Sequence, residues 1–265
     1  MSVLGIDVGG SGIKGALVDL ASGRLAVERR KILTPQPATP AAVAATVAAL
    51  TAQFDSPAGI GVAVPAVVKN GTTLTAANID PAWIGCDAGA ILGEALGRPV
   101  VVLNDADAAG LAEMRFGARG ALRGTVVMLT LGTGIGSALF VDGTLVPNTE
   151  FGHMDIRGKP AERRAAAQVR KLEHLSWGKW ALRLSEVLVT IERLLWPDLF
   201  ILGGGVSRRH EKFMPLLECR TPVVVAALGN DAGIVGAALA ALGDGRIHPA
   251  GSDAIQASSS ATSGR

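Results

Sequence analysis

The sequence predicts an α/β protein built of two related halves, each carrying a glycine-rich turn between two strands. Short apolar runs alternate with helix-forming segments along most of the chain, the pattern of sheets flanked by helices. The stretch GSGIKGAL from Gly10 returns as GTGIGSAL from Gly132, with Ser11 opposite Thr133 and the flanking Gly, Ile, Ala and Leu positions matching. Each copy lies between two apolar strands, and each second strand ends at an aspartate, Asp19 or Asp142. Two such hairpins are expected to face a shared cleft.

Taken in order, SVLGIDVGG is a buried strand running into a tight turn, GIKGALVD a second strand and RLAVERRKIL a third. Thr39 reads as an N-cap, with Pro40 at the first helical position and an Ala/Val-rich run to Phe54. AGIGVAVPA is a buried strand, and KNGTTL carries an Asn-Gly hairpin signal. Asp87 caps a helix to Leu96, PVVVLN is a strand, and a helix opens at Asn104 or Asp105. TVVMLTL, a glycine turn and GSALFVDG follow, then a long helix capped by Ser176 and running to about Leu195. Asp198 to Leu202 is a strand ending in three glycines, followed by a helix, the strand TPVVVAA and a last helix from about Asp231 to Leu242. The expected division is a first lobe over 1–105, a second over 106–243 whose last helix packs back on the first, and a disordered tail over 244–265, where Ala, Ser and Gly leave little to bury.

The bulk numbers exclude several classes. With 265 residues, 49% of them hydrophobic, the chain can bury a large core, yet no run of 18 or more apolar residues predicts a membrane span. The opening MSVLGIDVGG has no basic n-region, and two cysteines are too few for a disulfide framework, so a cytoplasmic location is expected. A net charge of +2 gives no argument for nucleic acid. The charge is nevertheless uneven: Arg157 to Lys171 sets several Lys and Arg against one Glu, either a solvated helix face or a patch for a phosphate-rich partner.

The turns point to chemistry. A glycine-rich turn exposes backbone N–H groups that bind phosphate oxygens, and the Ser11 and Thr133 hydroxyls add donors. Asp7, just before the first turn, suits a hydrated Mg²⁺ among phosphates; Leu129 stands at the matching place in the second copy. The P-loop and dinucleotide fingerprints are set aside, since a strand follows each turn where those motifs need a helix. Asp105, at the carboxyl end of a strand, could accept the proton of an attacking hydroxyl or simply cap a helix, and Asp107 competes with it. NTEFGHMDI brings Glu150, His153 and Asp155 into one loop, a polar cluster for sugar hydroxyls or, less well with one His, for a metal. Asn78 lies in a loop beside Trp83.

Together GIDVGGSGIKGALVD, GVAVPAVV, LNDADAAG, LTLGTGIGSALFVDG, EFGHMDI and LFILGGGVS resemble the repressor/ORF/kinase (ROK) family of sugar kinases, within the acetate and sugar kinase/actin superfamily. NIDPAW and the basic stretch after it in the chain are similar to the branch that phosphorylates glucose with polyphosphate or ATP. The resemblance implies a two-lobed actin-like fold and a kinase acting on the 6-hydroxyl of glucose, and of mannose, as a monomer or homodimer; the alternatives are a kinase for another hexose and a non-catalytic sugar or phosphate sensor on the same fold. It implies Asp105 as general base and Asn78, Asn104, Glu150, His153 and Asp155 as sugar ligands. Asp7, Gly9, Gly10, Ser11 and Lys14 match the first phosphate segment, Gly132, Thr133 and Gly134 the second, and Gly204 and Gly205 the nucleotide-side turn. Arg163, Arg164, Arg170 and Lys171 are expected to guide a long polyphosphate, two pairs of them sharing a helix face at a spacing of seven. Two departures stand out. MDIRGKPAERR replaces the clustered-cysteine zinc motif of many members, so no zinc is expected. Gly12 stands where many members have a lysine, with Lys14 two positions on.

Overall fold

A computed structural model of the chain describes residues 2–55, 57–117 and 123–242; the expected tail lies outside these. Strands β1 (Ser2–Gly9) and β2 (Gly12–Asp19) form the first hairpin, and β3 (Arg24–Leu25) and β4 (Arg30–Ile32) both pair with β2. Helix α1 (Pro40–Thr51), β5 (Ile60–Val64), the hairpin β6 (Val68–Lys69) and β7 (Thr72–Thr73), α2 (Ala88–Leu96) and β8 (Val101–Asn104) follow. Helix α3 (Asp105–Ala112) leads to the second hairpin, β9 (Thr125–Leu131) and β10 (Ile135–Val141), and to β11 (Thr144–Val146). A small ribbon, β12 (Asp155–Ile156) with β13 (Lys159–Pro160), precedes α4 (Ala161–Ala165), α5 (Ala167–Leu172) and α6 (Trp177–Leu195). The described chain closes with β14 (Leu199–Gly203), β15 (Val223–Val225) and α7 (Ala232–Ala240).

The two main sheets share one topology. The first runs β3-β2-β1-β5-β8 and the second β11-β10-β9-β14-β15. In each, the hairpin is antiparallel and the next two strands join parallel. The repeated glycine segments are not equivalent in register, however. Gly9 faces Gly12 in the first hairpin, leaving a two-residue turn, whereas Leu131 faces Ile135 in the second, leaving three residues to loop out.

Local chemistry sets most boundaries. Thr39, Asp87 and Ser176 accept from backbone N–H groups of Ala42, Ala90 and Lys179, the N-cap use that satisfies orphan donors of a first turn. Asn70 and Gly71 take positive φ in the β6–β7 turn, as Asn-Gly predicts. Two expectations need correction. RLAVERRKIL is not one strand: Val18 faces Leu25 but Gly15 faces Arg30, so two extra residues bulge out and divide it into β3 and β4. The helix expected after β14 consists of 3₁₀ turns, Gly205–Lys212 and Met214–Leu216, kinked at Arg209 and broken at Phe213.

Three large buried clusters, and a small one of Ala63, Ala108 and Ala237, follow from this layering. One packs the first sheet under α1 and α2, and another packs the second sheet against α4 and α6 around Trp180 and Phe213. The third joins the sheets: Val3, Ala16 and Val18 meet Met128, Phe140 and Ile201 through Ala109, Leu111, Val235 and Ala238 of α3 and α7. Close approach makes this possible, since a Cβ on Gly5, Gly61 or Gly236 would overlap a carbonyl of Ile234, Ala237 or Ala108. Helix α3 therefore starts between the two sheets. Among the described residues no helix is long and apolar enough to cross a membrane.

Candidate active site

Asn104 and Asp105 stand where β8 ends and α3 begins. The Asn104 Oδ1 accepts from the N–H groups of Ala106 (2.8 Å) and Asp107 (3.0 Å), and its Nδ2 donates to the Ala66 carbonyl (3.1 Å). Asn104 thus caps the helix and ties it to the strand beside it. Asp105, the first residue of the helix, accepts from Ala106 N at 2.8 Å and faces the cleft. Burial, then the Asp7 carboxylate, and to a lesser degree Glu150, raise its pKa to about 7. A carboxylate with that value at neutral pH is poised to take a proton.

The cleft in front of Asp105 has a volume of about 550 Å³. Asn78, Asn104, Asp105, Glu150, His153 and Glu162 supply its amide, imidazole and carboxylate side chains, and Gly9, Gly10, Gly132, Thr133, Gly134 and Gly204 its turns. Glu150 Oε2 lies 3.7 Å from His153 Nδ1, and Glu162 Oε1 lies 4.0 Å from His153 Nε2. Burial raises the Glu150 pKa, His153 opposing and Glu162 adding to the effect. Ser137 holds the loop, accepting from Phe151 N (3.0 Å) and donating to the Thr149 carbonyl (2.6 Å).

A clasp joins this loop to the separate β6–β7 hairpin. Asn148, with φ of 61°, accepts from Val68 N (2.8 Å) through Oδ1 and donates to the Val68 carbonyl (2.7 Å) through Nδ2. Its own N–H donates to Asp107 Oδ2 at 2.8 Å. Asp107 is buried, Oδ1 has no partner, and desolvation raises its pKa to about 7 against the pull of that N–H. Asp107 therefore holds the loop, while Asp105 faces the cleft.

A second cleft opens on the far side of Gly132 and Thr133. Arg170, Lys171, Arg209 and Lys212 line it with Gln168, Trp177 and Gly205. The Arg170 guanidinium lies 3.9 Å from the Trp177 ring centroid and donates to the Leu175 carbonyl (3.3 Å). Gln168 N donates to the Gly132 carbonyl at 3.0 Å, fastening α5 to the glycine turn. One cleft is lined by carboxylates and the other by cations, and Gly132–Thr133 is the wall they share.

Residues 3–168 match the ROK family, and the polyphosphate glucokinase of Mycobacterium tuberculosis (strain CDC 1551 / Oshkosh) is 56% identical over 241 residues, 91% of each chain. The chain belongs to the ROK family. Its fold is similar to that of the inorganic polyphosphate/ATP-glucomannokinase from Arthrobacter sp. strain KM, with a TM-score of 0.85 and 48% identity over 90% of this chain and 97% of that one. It is also similar to a ROK family glucokinase from Streptomyces griseus crystallised with glucose and AMPPNP: TM-score 0.76, 26% identity, 91% and 99% covered. The two-sheet architecture is accordingly the actin-like sugar kinase fold of ROK proteins.

Against the ROK resemblance, the residues fall into two groups. Gly9, Gly10, Asn78, Asn104, Asp105, Gly132, Thr133, Gly134, Glu150, His153 and Gly204 line the acidic cleft; Gly132, Thr133, Gly205, Arg170 and Lys171 line the basic one. Ser11 is exposed and lines neither, because the two-residue first turn differs from the second. Asp155 accepts from Gly158 N (2.8 Å) in the β12–β13 turn and lines neither cleft. Asp7 and Lys14 lie behind the first turn, joined at 3.4 Å.

The expected helix face of Arg163, Arg164, Arg170 and Lys171 does not exist. Ala166, with ψ of 150°, breaks the helix between α4 and α5, so a spacing of seven places nothing in line. Arg164 is mostly buried and ion-paired with Glu186 of α6, which also holds Arg157 at 2.6 Å. Arg163 is exposed and lines neither cleft. The sequence reading missed Glu162, Trp177, Arg209 and Lys212. The last two were visible as a basic run after the third glycine turn; Glu162 stood inside the basic stretch, and only folding separates it.

Proposed function

We propose that this ROK protein phosphorylates the 6-hydroxyl of glucose, and of mannose, with inorganic polyphosphate or ATP as donor. The observation that carries the reading is the shared wall at Gly132–Thr133. A neutral polyol is suited to the cleft of carboxylates and amides, and a polyanion to the cleft of four cations. The polyphosphate glucokinase, the glucomannokinase and the glucose-bound glucokinase named above support both substrates.

In this mechanism Glu150, His153, Glu162 and Asn78 hold the sugar hydroxyls. Asp105, ionised, accepts the 6-hydroxyl proton as O6 attacks the terminal phosphorus. The new O6–P bond forms as the bond to the rest of the donor breaks, and the leaving phosphate keeps the electron pair. The Thr133 hydroxyl and the N–H groups of the second glycine turn receive the transferring phosphoryl oxygens. Arg170, Lys171, Arg209 and Lys212 receive the remainder of the donor.

The Asp7 and Asp105 carboxylates are close enough for one to raise the other's pKa, a donor set that fits a divalent cation. Mg²⁺ bound with the donor would be held by Asp7 through water and would neutralise phosphate charge. Among the described residues no group of three or more His, Cys, Asp or Glu could hold a metal ion by itself.

The test is a coupled assay of glucose and mannose phosphorylation with Mg²⁺ and either donor. Turnover with at least one donor is expected. Glucose binding in calorimetry with no transfer from either donor sinks the reading.

A further inference from the structure

The first glycine turn carries a cation that the mechanism above does not use. Gly12, which follows the turn, is not among the residues with positive φ, so its backbone does not demand glycine. A neighbouring side chain does. A Cβ on Gly12 would collide with Lys31 Cε and lie 3.2 Å from its Nζ, so the Lys31 chain occupies the space left free there.

Lys31 belongs to β4 and stands opposite Lys14 of β2, so both side chains leave the same face of the sheet. Lys14 is engaged with Asp7 at 3.4 Å. Lys31 has no carboxylate partner among the described residues. The chain beyond it wraps the turn: Thr34 Oγ1 donates to the Gly9 carbonyl, and Gln36 Nε2 donates to that of Gly10 at 3.5 Å. Gly9 and Gly10 line the acidic cleft. The same segment thus braces the turn and delivers an unpaired ammonium to its end.

We propose that Lys31 is a donor-phosphate ligand, its ammonium passing over Gly12 to meet the phosphate chain at the first glycine turn. Lys14 stays with Asp7 and orients it. The inference rests on the phosphotransferase reading above and adds a cation at the first glycine turn, which faces Gly132–Gly134 across the acidic cleft, to the four of the second cleft. It also gives Gly12 a specific duty, keeping open the path of a side chain nineteen residues away in sequence.

The substitutions follow from the geometry. The atom a Gly12 side chain would meet is the far end of a flexible lysine, so Gly12→Ala should leave the fold intact and push the ammonium aside. Calorimetry of Mg²⁺ with inorganic tripolyphosphate, and separately of glucose, compares wild type, Lys31→Ala, Gly12→Ala and the double variant Lys31→Ala/Gly12→Lys. Lys31→Ala should raise the tripolyphosphate Kd roughly tenfold or more, the size of one charge-assisted contact, and leave the glucose Kd unchanged. Gly12→Ala should shift it in the same direction. The double variant should recover most of the affinity, because it returns an ammonium to the same space.

Equal tripolyphosphate affinity in wild type and Lys31→Ala overturns the proposal, as does no binding by either or an equal loss of glucose affinity. Turnover of the wild type is scored apart. A wild type that binds tripolyphosphate through Lys31 but transfers nothing sinks the kinase reading and leaves the site standing. An active wild type matched by Lys31→Ala sinks the site alone.

Discussion

Replacing Asp105 by Asn keeps the side-chain shape and an Oδ1 acceptor for Ala106 N, 2.8 Å away, and removes only the ionisable charge. Two effects of opposite sign follow. Loss of the base should lower turnover by roughly 10²–10⁴-fold with little change in glucose affinity. Stability should move the other way. The Asp105 pKa is raised from 3.8 to about 7, so the folded state binds more protons than the unfolded one between these values. Stability therefore falls as pH rises through that window, by ~4 kcal/mol at 1.36 kcal/mol per unit. That figure is an upper bound for Asp105, whose carboxylate in turn raises the pKa of Asp107. Asp105→Asn escapes the loss, so its melting temperature should exceed that of the wild type by several degrees at pH 8 and match it near pH 4. The wild-type kcat/KM for glucose should fall about tenfold per unit below pH 7 in the same coupled assay. Near-native turnover of Asp105→Asn, or a variant less stable than wild type at pH 8, refutes the reasoning.

Thr133→Val removes a hydroxyl from the wall between the clefts and should raise the KM for both donors with glucose affinity unchanged, checked by varying each substrate in turn. Gly134→Val should instead damage sugar binding too, because a Cβ there collides with the Glu162 carboxylate; calorimetry with glucose separates the two. Asn148→Ala removes both bonds to Val68 and should lower stability by about 1–3 kcal/mol in urea unfolding while raising the glucose KM. Arg170→Ala with Lys171→Ala should weaken polyphosphate use more than ATP use and flatten its salt dependence. Arg164→Ala should lower stability and affect both donors alike, since it removes the tie between α4 and α6, leaving Glu186 with Arg157 alone, and takes away no ligand.

Much of this protein was legible in residue order because the relevant physics is local. Apolar runs located the β1, β5, β8, β9 and β14 strands, and Thr39, Asp87, Asn104 and Ser176 marked helix starts through bonds that span only two or three residues. The glycine turns, Asp105 and the Glu150–His153 loop were legible for the same reason: each is a contiguous segment whose backbone dictates its use. What resisted was register and partner. The repeat aligned two turns that differ by one residue, because a hairpin's pairing depends on how both strands pack, which an ungapped match cannot register.

Charge misled most. From Arg157 to Lys171 the sequence shows one basic stretch, yet folding assigns its members to different environments: Arg164 to Glu186 of another helix, Glu162 to the acidic cleft, Arg170 and Lys171 to the basic cleft. Lys31 and Gly12 belong together only because β4 lies beside β2. The sequence alone determined the elements, their order and the residues able to do chemistry, since those follow from periodicity, caps and side-chain type. The tertiary structure decided which of them meet and what their protons cost, because desolvation and Coulomb interactions depend on distance in space, and Asp7 reaches Asp105 across ninety-eight positions of chain.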